Sequence, residues 1–231
     1  MQQQNGIHRV LSDLENLYRA LAIESKKTNS HLKSSAEKAL IKLRECRNSR
    51  KSIDDELQSE LSTDIILRPL ILSWSSKNIS ISLTALNILQ KLLNVNCLSP
   101  DSFMQILISL RTLLTLHTNK YAASSSSSSS QYQSRLDMNI QIKMCQILIQ
   151  IPNSSSWTVS RPFLQHIVYI TLLLCQSEET AVRSTSLAAL QQIATVALEY
   201  SVNAKNANHG DAGSLSLSLS ISLNVPSALS L

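Results

Sequence analysis

Apolar residues recur every three or four positions along most of the first 200 residues, which is the spacing of amphipathic helices. The pattern predicts a first helix over residues 7–28 and a second over 30–50, with Ser30 as its N-cap. The apolar face of the first is Ile7, Val10, Leu11, Leu14, Leu17, Tyr18 and Leu21. The apolar stripe of the second is Leu32, Ala36, Ala39, Leu40 and Leu43. These two helices form a first predicted pair.

Six more helical segments follow at similar spacing. Their predicted ranges are 63–74, 78–94, 100–114, 135–151, 160–176 and 178–200. Pro69 lies inside the first of these and predicts a kink or a new turn there. Ser99, Pro100 and Asp101 form a strong helix start, because they supply a cap, a proline in the first turn and an acid at the positive helix end.

The predicted helices pair over residues 7–50, 63–95, 100–151 and 160–200. One helix pair every ~40–47 residues is the rhythm of armadillo and HEAT repeats. We therefore predict an all-α, armadillo/HEAT-like α-solenoid of about seven to eight helices, formed by residues 5–200. A Ser-rich loop, 122–134, is inserted in it, and the Ser/Leu-rich tail, 201–231, is predicted to be disordered.

Composition supports a helical, cytosolic protein. The 231 residues include only 3 Gly and 5 Pro, whereas folds rich in strands need many turns. No secretory signal is recognisable at the start, and the longest apolar run, 163–175, is shorter than the ~20 residues that span a bilayer. Four separated cysteines are therefore expected to be core thiols: Cys46, Cys97, Cys145 and Cys175.

The residue types that carry catalysis are not arranged for it. Gly6 is the only glycine before residue 210, so no phosphate-binding loop is predicted. The five histidines show no metal-ligand spacing, and the acids at 54–56 and 178–179 are those of turns or helix starts. We expect no enzyme, no cofactor and no metal site.

Charge is concentrated at the start of the chain. Residues 1–51 hold 11 Lys and Arg against 5 Asp and Glu, a net charge of +6, whereas residues 52–231 hold 10 against 11, a net of −1. Such a cluster can contact anionic lipid, an acidic protein or nucleic acid, although it lacks the aromatic residues that stack on bases. The alternative is a solvated helix face with pairs such as Lys33 and Glu37. The candidate partner- or membrane-binding residues are Lys26, Lys27, Lys33, Lys38, Lys42, Arg44 and Arg47.

Four blocks resemble one trafficking domain. They are residues 11–45, which include Glu24-x-Lys26-Lys27 and Lys33-x-x-Ala36-Glu37, and residues 66–93, 139–151 and 181–199. In this order they resemble the dimerisation-and-cyclophilin-binding (DCB) domain of the Mon (monensin-sensitivity) scaffold and of the related large Arf exchange factors. The Glu-x-Lys-Lys and Ala-Glu details favour the Mon branch.

The resemblance implies a non-catalytic scaffold or adaptor of endosome-to-Golgi vesicle traffic. Such a module self-associates, binds Arf-like small GTPases and lies in the cytoplasm, peripherally on Golgi, trans-Golgi and endosome membranes. The catalytic exchange domain of the larger relatives is not within these residues, so no exchange activity is implied. The alternatives are the regulatory N-terminal domain of a large Arf exchange factor, and an unrelated helical-repeat adaptor that binds RNA or protein.

Two surfaces are candidates for self-association, the first two helices and the last two. An open solenoid end near Leu187, Leu190 and Ile193 would leave apolar side chains uncovered.

Overall fold

The computed structural model describes residues 2–26, 29–48, 60–76, 78–96, 98–118, 136–151 and 161–208. Within these ranges all regular structure is helical, which confirms the predicted all-α fold. The eight helices are α1 (Gln2–Ser25), α2 (Ser30–Asn48), α3 (Asp64–Trp74), α4 (Ile79–Asn94), α5 (Pro100–Thr118), α6 (Met138–Gln150), α7 (Arg161–Cys175) and α8 (Thr180–Asn208). The Ser-rich loop, Cys97 and the tail beyond Asn208 lie outside the described residues.

Asparagine caps two of these helices. At α2 the predicted cap was wrong by one residue, because Asn29 Oδ1 accepts the backbone N–H groups of His31 at 3.1 Å and Leu32 at 3.0 Å. Ser30 is the first helical residue instead. Asn78 caps α4 in the same way, accepting from Ser80 and Ile81. The short amide side chain satisfies N–H groups that have no partner within the helix.

The predicted start of α5 is confirmed. Pro100 is its first residue, and the backbone N–H of Ser102 donates to Ser99 Oγ at 3.3 Å. By contrast, Pro69 does not divide α3, which is one helix from Asp64 to Trp74. Since proline has no N–H, the carbonyl of Ile65 loses the donor four residues ahead. Pro69 itself is buried in the helix, while Ile65 is 46% exposed.

The helices stack in two layers, as expected for a solenoid. In one layer α4 packs between α1 and α6, and in the other α2, α3, α5 and α7 pack in that order. Contacts of α1 with α2, α3 with α4 and α6 with α7 join the layers. This arrangement belongs to a compact unit of residues 1–197, and a second unit, 198–231, is described only through Asn208.

The predicted apolar faces of α1 and α2 form the start of the core. Leu14, Tyr18 and Leu21 of α1 are fully buried, as are Leu32 and Leu43 of α2. Burying each such side chain contributes ~1.5–3 kcal/mol. The hydroxyl of Tyr18 donates to the carbonyl of Ile66, so α1 is also tied to α3.

Helix α8 buries a narrow stripe: Val182, Ser186, Ala189 and Ile193. The predicted exposed end was therefore wrong for Ile193, while Leu187 is 57% exposed. The helix also continues eight residues past the predicted end at 200, because residues 201–208 contain neither glycine nor proline. Among the described helices, none is both long and apolar enough to cross a membrane.

Candidate protein-interaction surface

Helices α1 and α4 lie antiparallel and are joined by polar contacts at both ends. Lys91 Nζ is 2.9 Å from Asp13 Oδ2, and the hydroxyl of Ser80 donates to Glu24 Oε1 at 3.0 Å. The contact with Lys91 lowers the pKa of Asp13. Glu24 belongs to the Glu-x-Lys-Lys block of the resemblance, and its carboxylate lies against the first turn of α4, whose positive dipole end favours an acid. Its structural role is thus to join two helices of one layer.

The C-terminal half of α2 is fixed by a buried acid of α1. Glu15 is only 4% exposed, and its Oε1 lies 2.9 Å from Arg47 Nη1 while its Oε2 lies 3.9 Å from Arg44 Nε. No described donor is aligned for a hydrogen bond to Glu15 Oε1, so the contact is mainly coulombic. A buried carboxylate needs such cations close to it. Arg44 and Arg47, both candidate binding residues, therefore hold α2 against α1.

Lys42 has a similar structural contact. Its Nζ is 3.6 Å from Glu60 Oε2, the same oxygen that accepts the thiol of Cys46 at 2.8 Å. Burial, and secondarily this carboxylate, raise the pKa of Cys46 to about 12. Burial likewise raises the pKa of Cys145 to about 12. Both thiols are buried, as predicted, whereas Cys175 is half-buried.

The remaining candidates divide into three cases. The predicted pair of Lys33 with Glu37 is confirmed at 3.6 Å between Nζ and Oε1. Lys26 and Lys38 are exposed and have no acidic partner within 4.0 Å in the described part of the chain. Lys27 lies outside the described residues.

Lys38 opens onto a groove between α2 and α3. The groove encloses about 270 Å³. Its walls include His31, Ser34 and Lys38 from α2 and Asp64, Ile65 and Arg68 from α3. Asp64 Oδ2 is 3.9 Å from Arg68 Nη1, and both side chains are more than half exposed, so this pair is weak. Two cations, an imidazole, two serine hydroxyls and one carboxylate, that of Asp64, thus line the groove.

The α3 side of this groove was not among the sites predicted from the sequence. Arg68 is the only charged residue within the otherwise apolar run 65–74, and that isolation was a usable signal. Charged side chains are rarely placed in such a run unless they reach solvent or a partner.

Acids are also scarce on the rest of this layer. In α3, α5 and α7 the only ones are Asp64 and Asp101, both in first turns. Arg111 of α5 is half-buried, with its guanidinium carbon 4.3 Å from the ring centre of Tyr169. Outside α2 this layer is therefore poor in charge, with Arg68 and Asp64 on α3 and Arg111 and Asp101 on α5. No cluster of three metal-ligating side chains occurs among the residues described.

The comparison with known families identifies one domain. The family model described as "Mon2/Sec7/BIG1-like, dimerisation and cyclophilin-binding domain" matches residues 5–121, about half of the chain. No curated protein matches the chain in a sequence search. The family match confirms the predicted DCB family and includes the blocks at 11–45 and 66–93. It ends before the blocks at 139–151 and 181–199, whose resemblance stays a prediction.

Proposed function

Because this chain belongs to the Mon2/Sec7/BIG1-like DCB family, we propose that it is a non-catalytic scaffold module of endosome-to-Golgi vesicle traffic. The family match over residues 5–121 is the observation that carries this proposal. A DCB domain is described by dimerisation and by binding a protein, cyclophilin, so protein contacts are the proposed mode of action. The Mon branch is the proposed position within the family, on the Glu24-x-Lys26-Lys27 and Ala36-Glu37 details.

Self-association is the part of this proposal that one purified chain can test. We expect sedimentation velocity to show a dimer whose fraction rises with protein concentration. A monomer at every concentration up to about 100 µM, well above the micromolar range of ordinary weak complexes, would contradict it.

Two matched variants distinguish the candidate dimer faces. Ile23 is 66% exposed near the end of α1, and Leu187 is 57% exposed on α8. Replacing either apolar side chain by Asp places a charge at that surface and opposes burial there. If α1 and α2 form the dimer face, Ile23→Asp yields monomer while Leu187→Asp leaves the dimer intact. The reverse result assigns the face to α7 and α8.

An Arf-like small GTPase is the proposed recruiting partner. The expected result is binding of a purified Arf-like GTPase loaded with a non-hydrolysable GTP analogue, with weaker binding of the GDP form. No acceleration of nucleotide exchange is expected, since no exchange domain is proposed within these residues. Equal binding of both nucleotide states would contradict recruitment by the active GTPase.

Peripheral membrane contact is proposed through the α2 lysines. Each basic residue near an anionic surface contributes ~1 kcal/mol. Flotation with phosphatidylserine vesicles should fall when Lys38 and Lys42 are both changed to Glu. Because Lys42 pairs with Glu60, Lys38→Glu alone is the matched variant that leaves that ion pair in place. Unchanged flotation of both variants would reject the lysines as a membrane site.

Two alternatives remain open to direct test. A regulatory N-terminal domain of a large Arf exchange factor would be followed by an exchange domain in the full transcript. An unrelated RNA-binding adaptor would bind RNA with an affinity that falls steeply as salt rises. The shortage of aromatic residues among the basic side chains disfavours the second alternative.

A further inference from the structure

We propose that the groove between α2 and α3 binds an acidic peptide segment of a partner protein, with Lys38 and Arg68 contacting its carboxylates and Ile65 contacting an apolar side chain. The proposal deepens the function proposed above, since it rests on the chain acting through protein contacts. It does not depend on self-association, which is measured separately.

The shape of the site favours a peptide. A groove of about 270 Å³ accepts one or two side chains, whereas a flat bilayer surface cannot enter it. Three basic residues of α2 also have acidic partners within the fold, so they contribute less to any external contact. Lys42, Arg44 and Arg47 each lie within 4.0 Å of a glutamate oxygen. Lys38 is left beside the groove, where Arg68 faces it from α3 and is held only by its exposed pair with Asp64 at 3.9 Å.

An exposed apolar side chain lies three residues from each cation, Ile65 within the groove and Ile41 outside its lining residues. Ile65 is 46% exposed and lies three residues before Arg68, while Ile41 is 56% exposed and lies three residues after Lys38. A spacing of three residues places each pair on one face of its helix. The pattern continues on α5, which packs against α3 and exposes Ile108 three residues before Arg111. A ligand that matches this surface alternates acidic and apolar side chains.

Charge complementarity selects an acidic partner over a basic one. Beyond Asp64 and Asp101 in their first turns, α3, α5 and α7 carry no acid that would repel a peptide carboxylate. On α2, Glu37 is engaged by Lys33, and the exposed Glu45 is not among the residues that line the groove. Asp64, at the edge of the groove, is the acid that opposes such a ligand. Removing its charge should therefore strengthen binding, a gain that no loss of folding can imitate.

The test uses the full chain and a defined probe. The probe is a fluorescein-labelled peptide of about 12 residues, long enough when extended to cross three helices spaced ~10 Å apart, with glutamates around two leucines. A counterpart with glutamine in place of glutamate is the neutral control. Fluorescence anisotropy should show binding of the acidic probe that weakens as salt is raised from about 0.05 M to about 0.3 M, because exposed charge pairs are screened.

Three variants and one matched control assign the binding to the groove. Lys38→Gln and Arg68→Gln should each lower the affinity for the acidic probe by about 3- to 5-fold, and the double variant should lower it by about 10-fold or more. Asp64→Asn should raise the affinity for the acidic probe by about 3-fold. Arg183→Gln removes one exposed positive charge from α8 and should leave the affinity unchanged.

Each other outcome would overturn the proposal. Equal weakening by Arg183→Gln would mean that only net charge matters, and equal binding of the glutamine counterpart would exclude carboxylate recognition. Absence of binding to the acidic probe would contradict the groove as a peptide site, while a dimer in sedimentation would still support the proposed function. If phosphatidylserine vesicles bind and the acidic probe does not, the ligand is a lipid surface instead.

Discussion

The two halves of α2 carry similar numbers of positive charges but use them differently. In the C-terminal half, Arg44 and Arg47 lie against Glu15, an acid of α1 that is almost fully buried. In the N-terminal half, Lys38 faces a groove with no acid within 4.0 Å of its Nζ among the described residues. Positively charged side chains therefore hold the fold together in one half of the helix and remain available to a partner in the other.

The largest expected effect is the loss of a cation from the C-terminal half. Arg47→Ala leaves the buried Glu15 carboxylate with Arg44 alone, at 3.9 Å, and should lower the free energy of unfolding by about 2 kcal/mol. Lys38→Ala removes an exposed side chain and should change the free energy of unfolding by less than about 0.5 kcal/mol. Urea denaturation of both variants measures this difference directly. Equal losses would show that the two halves of α2 are not distinct.

A smaller effect is expected from the contact that ties α1 to the groove wall. Tyr18→Phe removes the hydroxyl that donates to the Ile66 carbonyl, and leaves that buried acceptor without its partner. The free energy of unfolding should fall by about 1–2 kcal/mol. Thermal unfolding of Tyr18→Phe beside Tyr169→Phe, which alters an exposed tyrosine, provides the matched comparison. If both variants have the same melting temperature, the Tyr18 hydroxyl does not stabilise the fold.

The smallest expected effect at neutral pH is that of Cys46, which lies beside Lys42 and Glu60 and whose titration changes stability only in alkaline solution. The folded thiol keeps its proton to about pH 12, whereas an unfolded cysteine loses its proton from about pH 9. The unfolded state therefore binds fewer protons above pH 9, and stability falls as pH rises between 9 and 12. Cys46→Ala should show a shallower fall than the parent chain over that window. If stability falls equally with pH in both proteins, Cys46 does not contribute to the fall.

Local sequence signals predicted most of the fold. Apolar periodicity located the eight helices, and Ser99, Pro100 and Asp101 located the start of α5 correctly. Short-range rules placed the α2 cap on Ser30, because two neighbouring residues, Asn29 and Ser30, both suit that position and only backbone geometry separates them. The end of α8 was also missed, since helix propagation past residue 200 depends on propensities that differ little between residues.

The candidate site was harder to predict, for a physical reason. A count of charges located the basic residues of α2, but it could not show which of them meet acids distant in sequence. Glu15 and Glu60 neutralise three of them through contacts between different segments. Arg68 and Ile65 join the groove only because α3 packs against α2, a long-range contact that periodicity does not encode.

The most direct test of this division of α2 measures stability and binding in the same pair of variants. Lys38→Glu and Arg47→Glu are compared by urea denaturation and by anisotropy with the acidic peptide, under conditions where both are folded. We expect Lys38→Glu to keep its free energy of unfolding within about 0.5 kcal/mol and to lose peptide affinity, whereas Arg47→Glu should lose more than about 2 kcal/mol and keep its affinity. Loss of both properties in each variant, or loss of affinity in Arg47→Glu alone, would contradict it.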